Sequence, residues 1–337
     1  MMDDSLQITG EQFFDEYILI APGSDYGRAM WNDIEKLEHG TILESAMRST
    51  SRVLSLLHHI HFSIAINRKM HLPFQSIWRR LYSLESVQLD PDKRYCVIYT
   101  DVSAVRTDCM YLAEKKKEKN IMMVLIMVNT MARRGSLIEK RRRYFSQVYS
   151  FDRKDCEIYG FIYHLTNYSM VSMDTNYHIT QDAFFVGVSK GRAGKIANIY
   201  ERLAQGGAKS EFYISGIESG EERKPGIHYN QWLTYKQILE NIRNSNCIVE
   251  VMDGTQEGVT LRTMEAICYN KKLLTNNQSI NEMIYYESGN IQIFTEPDDI
   301  DVDFVKDNSS VDYHYDGEFS PIHLLEHINQ LKAESFQ

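Results

Sequence analysis

The feature that most constrains this chain is an alternation that runs through it twice: short, continuously apolar runs separated by segments with helical spacing. In the first half the runs are YILIA (17–21), YCVIYT (95–100) and IMMVLIMV (121–128), with helical stretches over 51–66 and near 105–119. A strand half-covered by protein alternates apolar and polar residues, whereas a parallel strand covered by helices on both faces reads as an unbroken apolar run. These runs are of the second kind. The pattern restarts with AFFVGV (183–188), a helix over 193–204 with Ile196, Ile199, Tyr200 and Leu203 on one side, and EFYISG (211–216). A helix over 235–245, CIVEVM (247–252), a helix over 261–269 and KLLT (272–275) complete it. The expected fold class is therefore α/β, with two Rossmann-like domains and a cleft between them.

The aromatic, weakly periodic stretch 152–180 reads as a connection rather than an element. It sets an N-terminal domain at 1–178 and a C-terminal domain at 179–319. An amphipathic helix within 320–337 is expected to pack back across the junction. The length of 337 residues agrees with two domains, since single cores stop growing near this size.

A formal net charge of -9 makes a poor match to a nucleic-acid backbone, so no nucleic-acid partner is expected. The five cysteines are far apart, odd in number and without CxxC spacing, which fits a reducing, cytoplasmic setting. The acidic start MMDDSLQITGEQFFDEY lacks the pattern of a signal peptide, and the longest apolar run has the length of a strand. Any membrane contact is then expected to be peripheral, at the inner face.

The stretch EGVTLRTMEAICYNKKLLTNN (257–277) is the most informative. Glu257 and Glu265 lie eight positions apart across a strand-to-helix turn opened by Gly258, Val259 and Thr260. Amide groups at a helix start hold anions such as a pyrophosphate, and glycine admits close approach of a ligand to the backbone. A carboxylate two turns into that helix suits ribose hydroxyls, and one in the loop suits sugar hydroxyls; two solvated flanking acids are the plain alternative. A second constellation, Lys190, Gly191, Arg192 and then Lys195, follows AFFVGV. It reads as a cationic clamp for a diphosphate, or as an exposed basic turn.

Together, FFVGVSKGR, YKQILENIRNSNCIVEVM, EGVTLRTMEA and KKLLTNN resemble retaining GT-B glycosyltransferases, and more closely bacterial lipopolysaccharide-core and capsule biosynthesis proteins. The resemblance covers mainly 182–277. It implies a nucleotide-sugar co-substrate with no metal or other cofactor, Glu265 on the ribose, Glu257 on the donor sugar, and a saccharide or lipid-linked saccharide acceptor. A GT-B-like nucleotide-sugar epimerase and a non-catalytic binding subunit are the rivals. One departure is Tyr269-Asn270-Lys271, where many relatives carry Gly-x-Pro; Asn270 is expected to supply the left-handed cap instead.

On the acceptor side, the loop with Gly23 and Ser24 is expected to face the cleft. Asp25 and Asp101, at strand ends, are the candidate bases, with helix capping as the commoner role of such aspartates. Neither loop has the GxGxxG spacing of a nicotinamide-dependent enzyme. His58, His59 and His61 lack the i, i+4 spacing of a helical metal pair, and the triplets at 90–92 and 301–303 read as a turn and a surface loop. Two basic, partly apolar stretches, 68–82 and 133–145, read either as lipid-facing surfaces or as solvated helix faces.

Overall fold

The computed structural model describes residues 6–48, 51–70, 72–170, 177–218, 220, 223–252 and 258–334. The chain divides into two compact units, Met1–Ser169 together with Phe319–Gln337, and Met170–Glu318.

Unit 1 contains strands β1 (Glu16–Ile20), β2 (Gly40–Leu43), β3 (Tyr95–Thr100), β4 (Ile121–Met127), β5 (Gln147–Ser150) and β6 (Ile162–Tyr163). Its helices are α1 (Asp25–Glu35), α2 (Arg52–His61), α3 (Ile64–Lys69), α4 (Asp101–Ala104), α5 (Cys109–Lys115), α6 (Met131–Arg142) and α7 (Arg153–Tyr159). Unit 2 contains β7 (Gln181–Val188), α8 (Ala193–Gln205), β8 (Ser210–Ser215), β9 (Ile227–Tyr229), α9 (Tyr235–Arg243) and β10 (Ser245–Glu250). It continues with α10 (Leu261–Cys268), β11 (Lys272–Thr275), β12 (Ile291–Ile293) and α11 (Val302–Lys306), after which α12 (Pro321–Glu334) returns to unit 1 and packs on α1.

Both sheets are six-stranded and parallel throughout, in the orders β2-β1-β3-β4-β5-β6 and β12-β11-β10-β7-β8-β9. The unbroken apolar runs have the cause read from the sequence. In β3, Tyr95, Val97 and Tyr99 enter one core with Leu112 of α5 and Ile138 of α6. Cys96 and Ile98 enter another with Trp31 of α1 and Leu325 of α12. Successive side chains point to opposite faces, and both faces are covered. In unit 2 the inner face of α8, Ile196, Ile199 and Leu203, packs on Phe185, Phe212 and Val249.

The structure corrects several expected elements. The stretch 51–66 is two helices, because Phe62 turns inward at the end of α2 and Ser63, with a non-helical backbone, precedes the next. The stretch near 105–119 likewise restarts at Asp108, whose carboxylate caps α5 by accepting the Tyr111 N–H at 3.3 Å. Within 152–180 lie α7, capped by Asp152 and stopped by Gly160 at φ 69°, and the edge strand β6.

Candidate nucleotide site in unit 2

In unit 2 the chain lays β8 and β9 on one side of β7 and β10 to β12 on the other. The connections leaving β7 and β10 therefore diverge, and a crevice opens beyond the carboxyl ends of these two neighbours. A cavity of about 210 Å³ sits there, lined by the ends of both strands, by Lys190 and Arg192, and by the start of α10 from Thr260 to Arg262.

The turn after β7 is built by Ser189, whose N–H donates to the Ser215 carbonyl at 2.8 Å and whose hydroxyl donates to the Gly216 carbonyl at 3.0 Å. Lys190 (φ 46°) and Gly191 (φ 80°) then take left-handed conformations and swing the chain into α8. Arg192 follows. Its guanidinium donates to the Val251 carbonyl and, at 3.2 Å, to the Val188 carbonyl, so one cation bridges the exits of both strands.

Across the cavity, Thr260 caps α10 by accepting the Arg262 N–H at 3.1 Å. Gly258, at φ 134°, precedes it, with its carbonyl held by the Asn277 amide at 2.9 Å, and Val259 is buried. Thr260 also donates its hydroxyl to Glu250, the buried last residue of β10, which accepts from Thr263 at 3.0 Å and from Thr275 at 2.5 Å as well. The one carboxylate among the described lining residues is thus tied to three hydroxyls. Among the described residues the remaining charges there are Lys190, Arg192, Arg262 and the amide end of a helix, all positive, which is an anion-binding arrangement.

Glu265 is placed behind this surface rather than in it. It is fully buried, accepts from the Tyr235 hydroxyl at 2.8 Å and pairs with Arg262. Burial pushes its carboxyl above the ordinary carboxylate range, and the Arg262 charge opposes that push. Its contact with the cavity runs through Arg262. Lys195 donates to the Thr295 carbonyl at 3.0 Å, and neither it nor Gly191 lines the cavity. Glu257 lies outside the described residues. The structure thus brings Lys190, Arg192 and Thr260 together, and adds Glu250 and Arg262. A signal for Glu250 stands in the sequence as the one acid inside an apolar run; Arg262 sits within the quoted motif itself.

In unit 1, Ser24 caps α1 by accepting the Gly27 N–H at 3.1 Å, Asp25 is exposed in its first turn, and the Gly23 N–H donates to Glu44. The cavity beside Gly23 measures about 10 Å³, room for one water at most. Asp101 is fully buried and accepts from the Val128 N–H at 2.8 Å, the Asn129 amide at 3.0 Å and Arg134 at 2.6 Å. Burial raises its pKa, against the pull of Arg134. Other expected features have structural duties: Asp90 accepts from the Asp92 N–H in a turn, and Asp301 caps α11. In the stretch 133–145, Arg141 donates to the Thr107 carbonyl and Arg142 to that of Tyr159, so these cations hold the fold together. Among the described residues no helix is long and apolar enough to cross a membrane.

These observations define an α/β protein of two six-stranded, parallel, Rossmann-like sheets, the GT-B type of fold, which nucleotide-sugar glycosyltransferases and UDP-N-acetylglucosamine 2-epimerases share. Among solved structures the chain is similar to a Listeria monocytogenes protein assigned as a UDP-N-acetylglucosamine 2-epimerase, with 11% identity, a TM-score of 0.51, and 95% of this chain and 96% of that one covered. It is also similar to an alpha-glucosyltransferase in complex with UDP-glucose and DNA containing an abasic site (10% identity, TM-score 0.49, 93% and 94% covered). A third is the Methanocaldococcus jannaschii UDP-GlcNAc 2-epimerase in complex with UDP-GlcNAc and UDP (12% identity, TM-score 0.45, 95% and 99% covered). No family model and no curated protein sequence matches the chain.

Proposed function

We propose that the cavity between the ends of β7 and β10 binds the diphosphate of a nucleotide sugar, and that the protein transfers the sugar to a saccharide acceptor. The observation that carries this reading is the meeting of Lys190, Arg192 and Arg262 with the amide end of α10 at one strand-order reversal. In the transfer, the bond from the anomeric carbon to the diphosphate oxygen breaks and a bond to the acceptor oxygen forms. The acceptor proton leaves to a base or to the departing phosphate. Negative charge grows on the diphosphate as it departs, and fixed cations and amides aimed at it lower the barrier. Lys190 and Arg192 are assigned to the diphosphate, the turn from Gly258 to Thr260 to backbone contacts, and Glu257 to the sugar hydroxyls. Glu265 is assigned to holding Arg262 against the ligand rather than to the ribose directly, because both its oxygens are taken. Of the two candidate bases, Asp25 is the solvent-open one. A cell-surface acceptor and retention of anomeric configuration are carried over from the sequence resemblance.

The test is calorimetric titration with UDP and GDP. One of the two is expected to bind the wild type, and Lys190→Ala, at an exposed turn, is expected to weaken it about tenfold, the effect of losing one charge-assisted contact, with an unchanged melting temperature. Absence of binding by either nucleotide would remove the proposal. Incubation with UDP-N-acetylglucosamine, with and without a saccharide acceptor, then separates transfer from epimerisation: an isomer formed without acceptor identifies an epimerase.

A further inference from the structure

Unit 1 carries a surface that nucleotide-sugar binding leaves unused. Helix α2 leaves its apolar residues exposed. Two of its histidines face the protein, while Arg52, Ser55 and His59 are exposed: His58 is buried, with Nε2 3.1 Å from the Arg106 carbonyl, and the half-buried His61 accepts the Trp78 indole N–H at 2.9 Å on Nδ1 while its Nε2 lies 2.7 Å from the Pro73 carbonyl. Its apolar residues point outward. Val53, Leu56, Leu57 and Ile60 share one helical face and are 67%, 59%, 49% and 47% exposed. A helix at a protein surface normally buries such a stripe. The turn beyond α3 extends the surface with Phe74 and Ile77, 78% and 66% exposed, and Phe74 stands at φ 63°, an unusual conformation for a bulky aromatic residue. An open, apolar cavity of about 630 Å³ lies between the helix and this turn.

A contiguous exposed apolar surface marks a docking site, and its charge selects the occupant. Between Glu44 and Glu85 there is no aspartate or glutamate, in a chain whose net charge is -9. The same segment holds Arg48, Arg52, Lys69 and Arg80, all exposed, whereas Arg79 turns inward to Asp108 and Glu114. Aliphatic and aromatic side chains on a segment that carries exposed cations and no acid of its own complement a bilayer surface, where acyl chains lie beneath anionic headgroups. We propose that this face of unit 1 docks on an anionic lipid bilayer, with Phe74, Ile77 and the outer face of α2 entering the acyl boundary and Arg52, Lys69 and Arg80 meeting headgroup phosphates. The inference rests on unit 1 alone and stands or falls independently of nucleotide binding.

Sedimentation of the full chain with vesicles tests it. The protein is expected to pellet with vesicles of phosphatidylcholine mixed with phosphatidylglycerol, to stay in solution with phosphatidylcholine alone, and to be released by salt. The double variant Phe74→Asp, Ile77→Asp, at two exposed positions, is expected to bind the mixed vesicles at least about tenfold more weakly with an unchanged melting temperature. Should that variant melt early, Arg52→Ala with Lys69→Ala, which removes only exposed charges, is expected to lose the mixed vesicles as well. The proposal is overturned if the wild type pellets with neither vesicle, if the apolar variant that folds binds as the wild type does, or if the charge variant binds undiminished. It is equally overturned if light scattering shows a self-associated wild type that the apolar variant dissociates while neither binds vesicles.

Discussion

The two sheets reverse their strand order at comparable places, between β1 and β3 in unit 1 and between β7 and β10 in unit 2, yet among the described residues the pocket beside the end of β1 measures about 10 Å³ and that between β7 and β10 about 210 Å³. In unit 1 the gap is filled from the chain itself. Ser103 donates its hydroxyl to the Ile20 carbonyl at 2.6 Å, and Asp101, directly after β3, draws in the Val128 N–H, Asn129 and Arg134. In unit 2 the corresponding acid is Glu250 at the end of β10, and its partners are the hydroxyls of Thr260, Thr263 and Thr275. Arginine neutralises the acid in unit 1, whereas in unit 2 Arg192 holds backbone carbonyls at the strand ends and Arg262 of α10 pairs with Glu265. Sheet topology offers a crevice in both places; the partners chosen by one buried carboxylate decide whether it is closed or cationic.

The sharpest way to break this comparison is Asp101→Ala. It leaves the Arg134 guanidinium and the Val128 N–H without their shared acceptor at a buried site, a class of change that costs about 3–5 kcal/mol. Urea unfolding is expected to show a loss of that size while UDP or GDP affinity in the folded fraction is unchanged. A loss under about 1 kcal/mol would mean that the filled gap of unit 1 contributes little to its stability.

A second, smaller effect separates the units by pH. Burial holds the His58 imidazole down at about 4 from an ordinary 6.5, and the partly buried His164 is held down to about 4 in the same way. Both belong to unit 1. In the window between these values the unfolded chain binds more protons than the folded one. Their contribution is therefore complete above about pH 6.5 and is lost as the pH falls towards 4. Thermal melts across that range are expected to show the decline, His58→Gln is expected to flatten it, and saturating nucleotide should leave its position unmoved. A shift of the acid limb with nucleotide would tie the two units together.

How much of this is legible in the sequence depends on how local each cause is. The central strands declare themselves because both their faces are buried, so YCVIYT and IMMVLIMV need no partner to be recognised. The strands β6, β9 and β12, two or three residues long, exist through pairing with a neighbour and leave almost no pattern of their own. The basic turn at Lys190 to Arg192 is readable as a strand-to-helix turn. The role of Glu250 is not, because its three hydroxyl partners arrive from a cap, a helix and another strand. Spacing singles out Glu265, but spacing carries no direction. Every residue of α10 from Thr263 to Cys268 is buried, so this helix has no solvent face to which a carboxylate could turn.

The finest separation between holding the fold and holding a ligand falls at Lys190. At φ 46° its backbone occupies a region where a side chain costs about 1–2 kcal/mol and glycine costs nothing. Lys190→Gly removes that strain but gives the unfolded chain more freedom, about 0.4–1 kcal/mol in the opposite sense, so the net expectation is a gain of roughly 0.5 kcal/mol in stability. The same change removes one of the cations lining the cavity, and nucleotide affinity is expected to fall about tenfold, as in Lys190→Ala. Stability and binding then move in opposite directions at one residue, as expected where backbone strain is retained for the sake of a ligand. If calorimetry and melting instead showed a less stable variant with intact nucleotide binding, Lys190 would be a turn residue only, and the cationic lining of the unit 2 cavity would lose its most exposed member as a ligand contact.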